Sequence, residues 1–170
     1  MSIRTVGFIP DTHAPYHNVR AYSCAMQILS YVGINELFIK GDFADFYDVN
    51  QHGAKDPRIV HTLTNEVEEV NILLDEIDEA FKGIKKRYVE GNHEDRLRRF
   101  IQNKCPELFG LVDCQELFKI NKRPNWSWHR YWPDQKVQVL NTQLFVRHTP
   151  LANSASASFI AFSTSNLECP

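Results

Sequence analysis

The sequence predicts an α/β fold in which helices flank a β-sheet in layers. Short apolar runs alternate with longer amphipathic stretches as far as Val89, an order typical of strands joined by helices. Polar residues follow each apolar run, and in such a sheet this is the edge where ligands bind. The chain has 170 residues, which is the length of a single domain with one core.

The first part of the chain contains two predicted strands and a helix between them. Residues 3–9 form an apolar run ended by Pro10, which indicates a buried strand. Asn18 is a favourable cap, so a helix is predicted over residues 18–30, with Gly33 as its stop. Residues 37–39 repeat the pattern of a buried strand.

A second helix is predicted by the most regular apolar spacing in the sequence. Ile72 and Leu73 widen its stripe, which favours a helix docked on a sheet over a coiled-coil seam. Residues 86–89 are predicted to form a third strand, so the sheet should be parallel with right-handed crossovers. The apolar residues of this helix, spaced by three and four positions, are Val60, Leu63, Val67, Val70, Leu74, Ile77 and Phe81.

The second half of the chain is less regular. Residues 96–103 and 107–120 are predicted to be helical, and residues 137–146 to form a terminal hairpin. The domain is therefore predicted to span residues 1–148. Residues 149–170 form an Ala/Ser-rich tail, interpreted as an irregular or incomplete end of the same domain.

Composition limits the partners and the compartment. The 19 basic residues nearly balance the 21 acidic ones, so no strong overall field draws the protein to nucleic acid or to an anionic membrane. No apolar stretch is long enough for a signal peptide or a membrane helix. The four cysteines form no C-x-x-C pair, which favours reduced thiols and a cytoplasmic location.

Polar side chains with the chemistry of metal ligands follow all three predicted strands. In extended backbone, residues two apart point the same way, so Asp11 and His13 are expected to reach one cation. Carboxylate, imidazole and amide oxygens suit Mn, Fe, Zn, Ni or Mg, and the set lacks the thiolates of a structural zinc site. The three clusters are Asp11 with His13, Gly41 with Asp42 and Asp45, and Gly91 with Asn92, His93 and Glu94.

These clusters match a known pattern of motifs. The blocks D-x-H at residues 11–13, G-D-x-x-D at residues 41–45 and G-N-H-E at residues 91–94 resemble the calcineurin-like metallophosphoesterase superfamily, and most of all its small bacterial and phage-type members. The resemblance covers residues 5–94 well. Residues 137–150 are similar, more weakly, to the family's strand that ends in a further histidine, here His148.

The resemblance implies a site with two divalent metal ions, manganese being favoured. Asp11, His13 and Asp42 would hold the first ion, and Asp42 would bridge to a second ion held by Asn92 and His148. The implied activity is hydrolysis of a phosphomonoester or phosphodiester, a nucleotide or nucleic acid among them, by a bridging hydroxide.

The resemblance also implies two catalytic residues. His93 would protonate the leaving oxygen, and Asp45 would orient its ring.

The sequence departs from the family pattern at its end, because it contains no G-H-x-H block. One interpretation is a truncated phosphoesterase, silent or weakened, whose exposed sheet edge would favour self-association. The other is that His17, His52 or His129 supplies the missing ligand.

A binding module for nucleic acid is a further alternative. Separately, Arg96, Arg98 and Arg99 follow the third motif, where a cation could meet a substrate phosphate, although a solvated helix face is favoured. Aromatic and basic side chains able to stack on bases lie close together at Arg123, Trp126, Trp128, Arg130, Tyr131 and Trp132. Packing of these rings over the sheet is the favoured interpretation.

Overall fold

A parallel sheet of four strands forms the centre of the molecule. The computed structural model describes residues 4–50, 62–131 and 136–148. The strands lie in the order β1 to β4, and each pairs in parallel with the next. They are β1 (Val6–Ile9), β2 (Glu36–Lys40), β3 (Lys85–Val89) and β4 (Trp126–His129). The predicted α/β class and parallel sheet are therefore confirmed.

The connections between strands are helical, as predicted. They contain α1 (Val19–Val32), α2 (Leu63–Ala80), α3 (Glu94–Lys104) and the short α4 (Cys114–Leu117). The Asn18 side chain accepts a hydrogen bond from the Ala21 backbone N–H at 3.1 Å, which confirms Asn18 as the cap of α1. Val60, predicted to begin the second helix, lies outside the described residues.

The prediction of one helix over residues 107–120 is wrong, because this segment forms several short elements. A 3-10 turn at Pro106–Leu108, the helix α4 and a 3-10 turn at Ile120–Lys122 replace it. Gly110 has a φ of 84°, which ends the first turn. Asp113 then caps α4 by accepting a hydrogen bond from the Glu116 backbone N–H at 2.9 Å.

The strand β4 was not predicted from the sequence, because its aromatic and polar residues lack the apolar run of a buried parallel strand. The Trp128 ring stacks on the ring of Tyr88 in β3, with centroids 4.4 Å apart. The Trp126 indole N–H donates to Asp78 at 2.7 Å. Packing against the sheet and α2 thus defines this strand.

The larger core lies on the helix-covered face of the sheet. Right-handed crossovers that all step in one direction place their helices on a single face, and the strand order fits this arrangement. Residues of β2 such as Leu37 and Ile39 pack there with Leu29 of α1, Leu74 of α2 and Leu97 of α3.

The opposite face is covered by the predicted hairpin. Its strands are β5 (Val137–Gln138) and β6 (Phe145–Val146), which pair antiparallel. Val137, Val139 and Val146 pack with Phe38 and Val89 of the sheet. The hairpin therefore carries residue 148 to the carboxyl end of β2.

Two further predictions concern the end of the chain and membrane helices. The tail predicted for residues 149–170 lies outside the described residues. In the part that the structure describes, no helix combines the length and the apolar composition needed to cross a membrane.

Candidate metal centre

The loops that follow β1 and β2 run side by side beyond the ends of these strands. The backbone N–H of Asp11 donates to the carbonyl oxygen of Gly41 at 3.1 Å, and the N–H of His13 donates to the carbonyl oxygen of Asp42 at 2.9 Å. Ala14 and Ala44 continue the contact as an isolated bridge. The first two predicted clusters are therefore brought together by backbone pairing.

The backbone in these loops is not extended, contrary to the prediction. Asp11, His13 and Asp42 have φ values of 46°, 54° and 48°, in a region that side chains other than glycine seldom adopt. Asp11 and His13 thus converge through a turned backbone and not through strand alternation. Such conformations persist where the surroundings impose them, and they are frequent at functional sites.

Glu94 organises the loop after β2 from inside the protein. This side chain is fully buried, and its Oε1 accepts hydrogen bonds from the N–H groups of Phe43 and Ala44 at 2.8 and 3.1 Å. Its Oε2 accepts from the N–H groups of Asp42 and Gly91 at 3.0 and 2.7 Å. Burial raises the pKa of Glu94. The carboxylate therefore joins the second and third motifs.

Two glycines permit close approach at the same point. A side chain at Gly41 would place its Cβ 2.6 Å from His148 Nδ1, and the φ of Gly41 is 74°. A Cβ at Gly91 would overlap the carboxylate of Asp42. The absence of a side chain at both positions lets Asp42 and His148 meet.

A first group of possible ligand atoms belongs to Asp11, His13 and Asp42. One atom from each of these side chains lies within 4.8 Å of the others. His13 Nδ1 donates to Asp45 Oδ2 at 3.0 Å, and this hydrogen bond fixes the ring and leaves Nε2 unengaged by it. Two carboxylates and an imidazole suit a divalent transition metal.

A second group consists of Asp42, Asn92 and His148. His148 Nε2 lies 3.0 Å from Asn92 Oδ1 and 3.3 Å from Asp42 Oδ2. Nδ1 of the same ring donates to the carbonyl oxygen of Lys40 at 2.9 Å, which leaves the Nε2 lone pair directed at two acceptor oxygens. Three acceptors that face one another fit a shared cation, so this donor set is compatible with a metal ion.

A proton can occupy the same place. Burial disfavours the charged form of Asp42, but the hydrogen bond and charge of His148 outweigh it and lower the pKa of Asp42. Burial likewise disfavours charged His148, yet the hydrogen bond and charge of Asp42 prevail and raise the pKa of His148. A metal ion at this position would therefore displace a proton.

The predicted catalytic pair lies beside the first group, with a different arrangement from the one expected. His93 Nδ1 is 2.8 Å from the carbonyl oxygen of Asp45 and 3.6 Å from Asp45 Oδ2. The carboxylate of Asp45 lies nearer to His13, where its hydrogen bond raises the pKa of the ring. Burial lowers the pKa of His93. Asp45 therefore contacts both rings, His93 mainly through its backbone.

No role was predicted for Glu94, and for Arg96 a solvated helix face was the favoured interpretation, which its contacts contradict. Glu94 belongs to the G-N-H-E block, but its function as an acceptor for backbone N–H groups depends on tertiary structure. Arg96 contacts His93 Nε2 through Nη2 at 2.7 Å and donates through Nη1 to the Asp45 carbonyl oxygen at 3.0 Å. Its position two residues after the motif was the available signal.

The histidines considered as substitutes for a missing ligand lie elsewhere or are not described. The His17 ring packs against Tyr22, with centroids 5.6 Å apart. His129 Nε2 lies 3.2 Å from Ser127 Oγ. Burial lowers the pKa of this histidine, and the charge of Arg87 lowers it further. His52 lies outside the described residues.

The two tryptophans in the described part of the chain pack against the core. One face of Trp128 is covered by Tyr88, and Lys86 Nζ lies 5.7 Å from the centre of the Trp126 ring. This packing matches the favoured interpretation for these two rings. Trp132 lies outside the described residues.

Comparisons with family models, curated proteins and solved structures find no match for this chain. Its resemblance to a family therefore depends on the three motifs. Their joint position at one end of the sheet is the structural observation that bears on this resemblance.

Proposed function

We propose that this protein is a metal-dependent phosphoesterase that uses two divalent cations, with manganese favoured. The observation that carries the proposal is the convergence of acceptor atoms from Asp42, Asn92 and His148, with Asp42 also in contact with the first group of ligand atoms. A shared carboxylate between two donor sets is the arrangement expected of a two-metal site. The proposal agrees with the resemblance to calcineurin-like metallophosphoesterases.

Each cation would be held by side chains from different loops. Asp11, His13 and Asp42 would bind one ion, and Asp42, Asn92 and His148 the other. When bound, divalent cations neutralise charge on a phosphoryl group and lower the pKa of a coordinated water. The backbone pairing of the first two loops and the hydrogen bonds of Glu94 hold these ligands before any ion binds.

Other residues of the chain position the reacting groups. Asp45 holds His13 with its carboxylate and His93 with its carbonyl oxygen, so both rings have fixed orientations. The His93 backbone N–H donates to Asp42 Oδ1 at 2.9 Å and orients the shared carboxylate. Proton donation by His93 to the leaving oxygen requires that Nε2 first gain a proton and separate from Arg96.

Hydrolysis of chromogenic esters tests the proposal. The protein loaded with Mn²⁺ is expected to cleave p-nitrophenyl phosphate or its bis ester, and EDTA should abolish this turnover. Asp42→Asn should lower kcat/KM by about 10³-fold, because it removes the shared ligand and several kcal/mol of charge stabilisation. Isothermal titration with Mn²⁺ should show the loss of binding directly.

Asp75→Asn is the matched control, because Asp75 is an exposed residue of α2 that pairs with Arg123. It should bind Mn²⁺ and turn over as the unaltered protein does. If the unaltered protein binds Mn²⁺ but cleaves neither ester, the interpretation as a catalytically silent binding protein replaces that as a hydrolase. If Asp42→Asn retains full turnover, the proposed centre is wrong.

A further inference from the structure

Arg96 is a cation held beside the candidate metal centre. It lies in the first turn of α3, and its side chain is 20% exposed. Nη1 donates to the Asp45 carbonyl oxygen at 3.0 Å and Nη2 contacts His93 Nε2 at 2.7 Å. The guanidinium is thus fixed on two sides and still reaches solvent.

The position of Arg96 relative to Asp42 follows from His93. His93 Nε2 lies 2.7 Å from Arg96 Nη2 and 3.8 Å from Asp42 Oδ2. A single atom of the imidazole ring therefore lies near both the guanidinium and the carboxylate shared by the two donor sets. A phosphoryl group bound at that carboxylate would lie close to Arg96.

The hydrogen bonds of His93 assign the donor role to Arg96. A carbonyl oxygen only accepts, so the contact between His93 Nδ1 and the Asp45 carbonyl oxygen places the proton on Nδ1. A guanidinium only donates, so His93 Nε2 accepts from Arg96. In this arrangement His93 offers no N–H to a substrate, whereas Arg96 has more N–H donors than these two bonds use.

The charge of Arg96 has a consequence for the substrate. Arg96 Nη1 lies 3.7 Å from Asp45 Oδ1, but that carboxylate is closer to His13. A guanidinium binds phosphate oxygens with charge-assisted hydrogen bonds, and it stabilises two negative charges more than one. A phosphomonoester carries one more negative charge than a diester, so it gains more from Arg96.

We propose that Arg96 binds the phosphoryl oxygens of the substrate and makes the site selective for phosphomonoesters over phosphodiesters. This inference rests on the proposed function. His93 acts in it as the acceptor that positions the guanidinium.

Arg96→Ala and Arg96→Lys test the inference in Mn²⁺-loaded protein. In Arg96→Ala, kcat/KM for p-nitrophenyl phosphate should fall about 100-fold and that for the bis ester about 10-fold, since the lost hydrogen bonds are charge-assisted. The affinity for inorganic phosphate, measured by isothermal titration, should fall at least about 10-fold. Arg96→Lys keeps the charge and should recover part of the monoester selectivity.

Arg98→Ala is the matched control, because Arg98 lies on the same helix and donates to Asp95 at 2.7 Å. It should leave both selectivity and phosphate affinity unchanged. Circular dichroism shows whether each variant folds. If Arg96→Ala does not fold, the selectivity and phosphate affinity of Arg96→Lys test the inference instead.

Three results would overturn the inference or separate its failure from failure of the proposed function. Equal losses for both esters with unchanged phosphate affinity would make Arg96 a positioning residue only and overturn it. If the unaltered protein binds Mn²⁺ but cleaves neither ester, the proposed function fails and the selectivity fails with it. In that case, phosphate binding that depends on Arg96 would still support a contact between Arg96 and phosphoryl oxygens. Phosphate binding that does not depend on Arg96 would overturn this contact as well.

Discussion

The two ends of the parallel sheet both bury charged side chains, but they balance these charges differently. At the amino end, Arg87 Nε donates to Glu36 Oε1 at 2.6 Å, and Lys86 Nζ lies 3.1 Å from Asp78 Oδ1. Both partners of the first pair and the lysine of the second are largely removed from solvent. Every buried charge in these two pairs has an opposite charge from the chain itself.

At the carboxyl end, acceptors face acceptors. Asp42, Asn92 and His148 direct their polar atoms at one point, where a proton on His148 or a bound cation can join them. The comparison teaches that burial of charge does not by itself mark a site, whereas buried polar atoms that converge on one point favour one.

The largest effect is expected from removing one partner at the amino end. Glu36→Gln should lower the free energy of unfolding by about 3–5 kcal/mol, because it leaves Arg87 buried without its counter-charge. Mn²⁺ affinity should not change. Urea unfolding and metal titration measure the two quantities. A variant with normal stability but impaired metal binding would break the distinction between the two ends.

The next effect concerns pH and Glu66, which lies in the first turn of α2 and accepts a hydrogen bond from the backbone N–H of Phe46, in the loop after β2. Burial raises the pKa of Glu66 to about 7 from an ordinary value of 4.5. The folded protein therefore holds more protons than the unfolded chain between these values, so stability falls as pH rises through this window. Glu66 alone should contribute a loss of roughly 3 kcal/mol above pH 7.

Glu66→Gln tests this dependence. The decline between pH 4.5 and 7 should be smaller in the variant but not absent, because burial also raises the pKa of Glu90 to about 7, and above that window the variant should be more stable than the unaltered protein. Urea unfolding at a series of pH values provides the measurement. A decline of the same size in both proteins would assign it to another group.

The smallest effect is expected from the hairpin. His148→Ala should weaken Mn²⁺ binding by at least about 10-fold to 100-fold, the loss seen when even a group that supports a ligand is removed. Stability should change less than in Glu36→Gln, because His148 lies at the end of the hairpin and outside the apolar cluster that docks it. Unaltered affinity would show that Asp42 and Asn92 suffice and that the hairpin is not part of the centre.

Much of the fold could be predicted from local patterns. The apolar run before Pro10, the cap at Asn18 and the stripe through Val70 and Ile77 are each local signals, and the elements they predict occur. The strand β4 could not be predicted in this way. It depends on the stacking of Trp128 on Tyr88, which involves residues distant in sequence.

The candidate site could be predicted in its members but not in its geometry. Parallel strands collect their carboxyl ends at one edge, so the position of Asp11, Asp42 and Asn92 at that edge followed from the order of elements. The positive φ values of Asp11 and Asp42 did not, because tertiary hydrogen bonds impose them. The contact of Arg96 with His93 likewise depends on how α3 begins.

The hydrogen bonds of Glu94 also have a consequence for folding. Its carboxylate shapes the turn at Ala44, a residue 50 positions earlier in the chain. That turn cannot reach its native form until the intervening crossover has closed and α3 has docked, because the acceptor is missing before then. Refolding chains should therefore acquire the bulk of the sheet first and the ability to capture ions only in their final step.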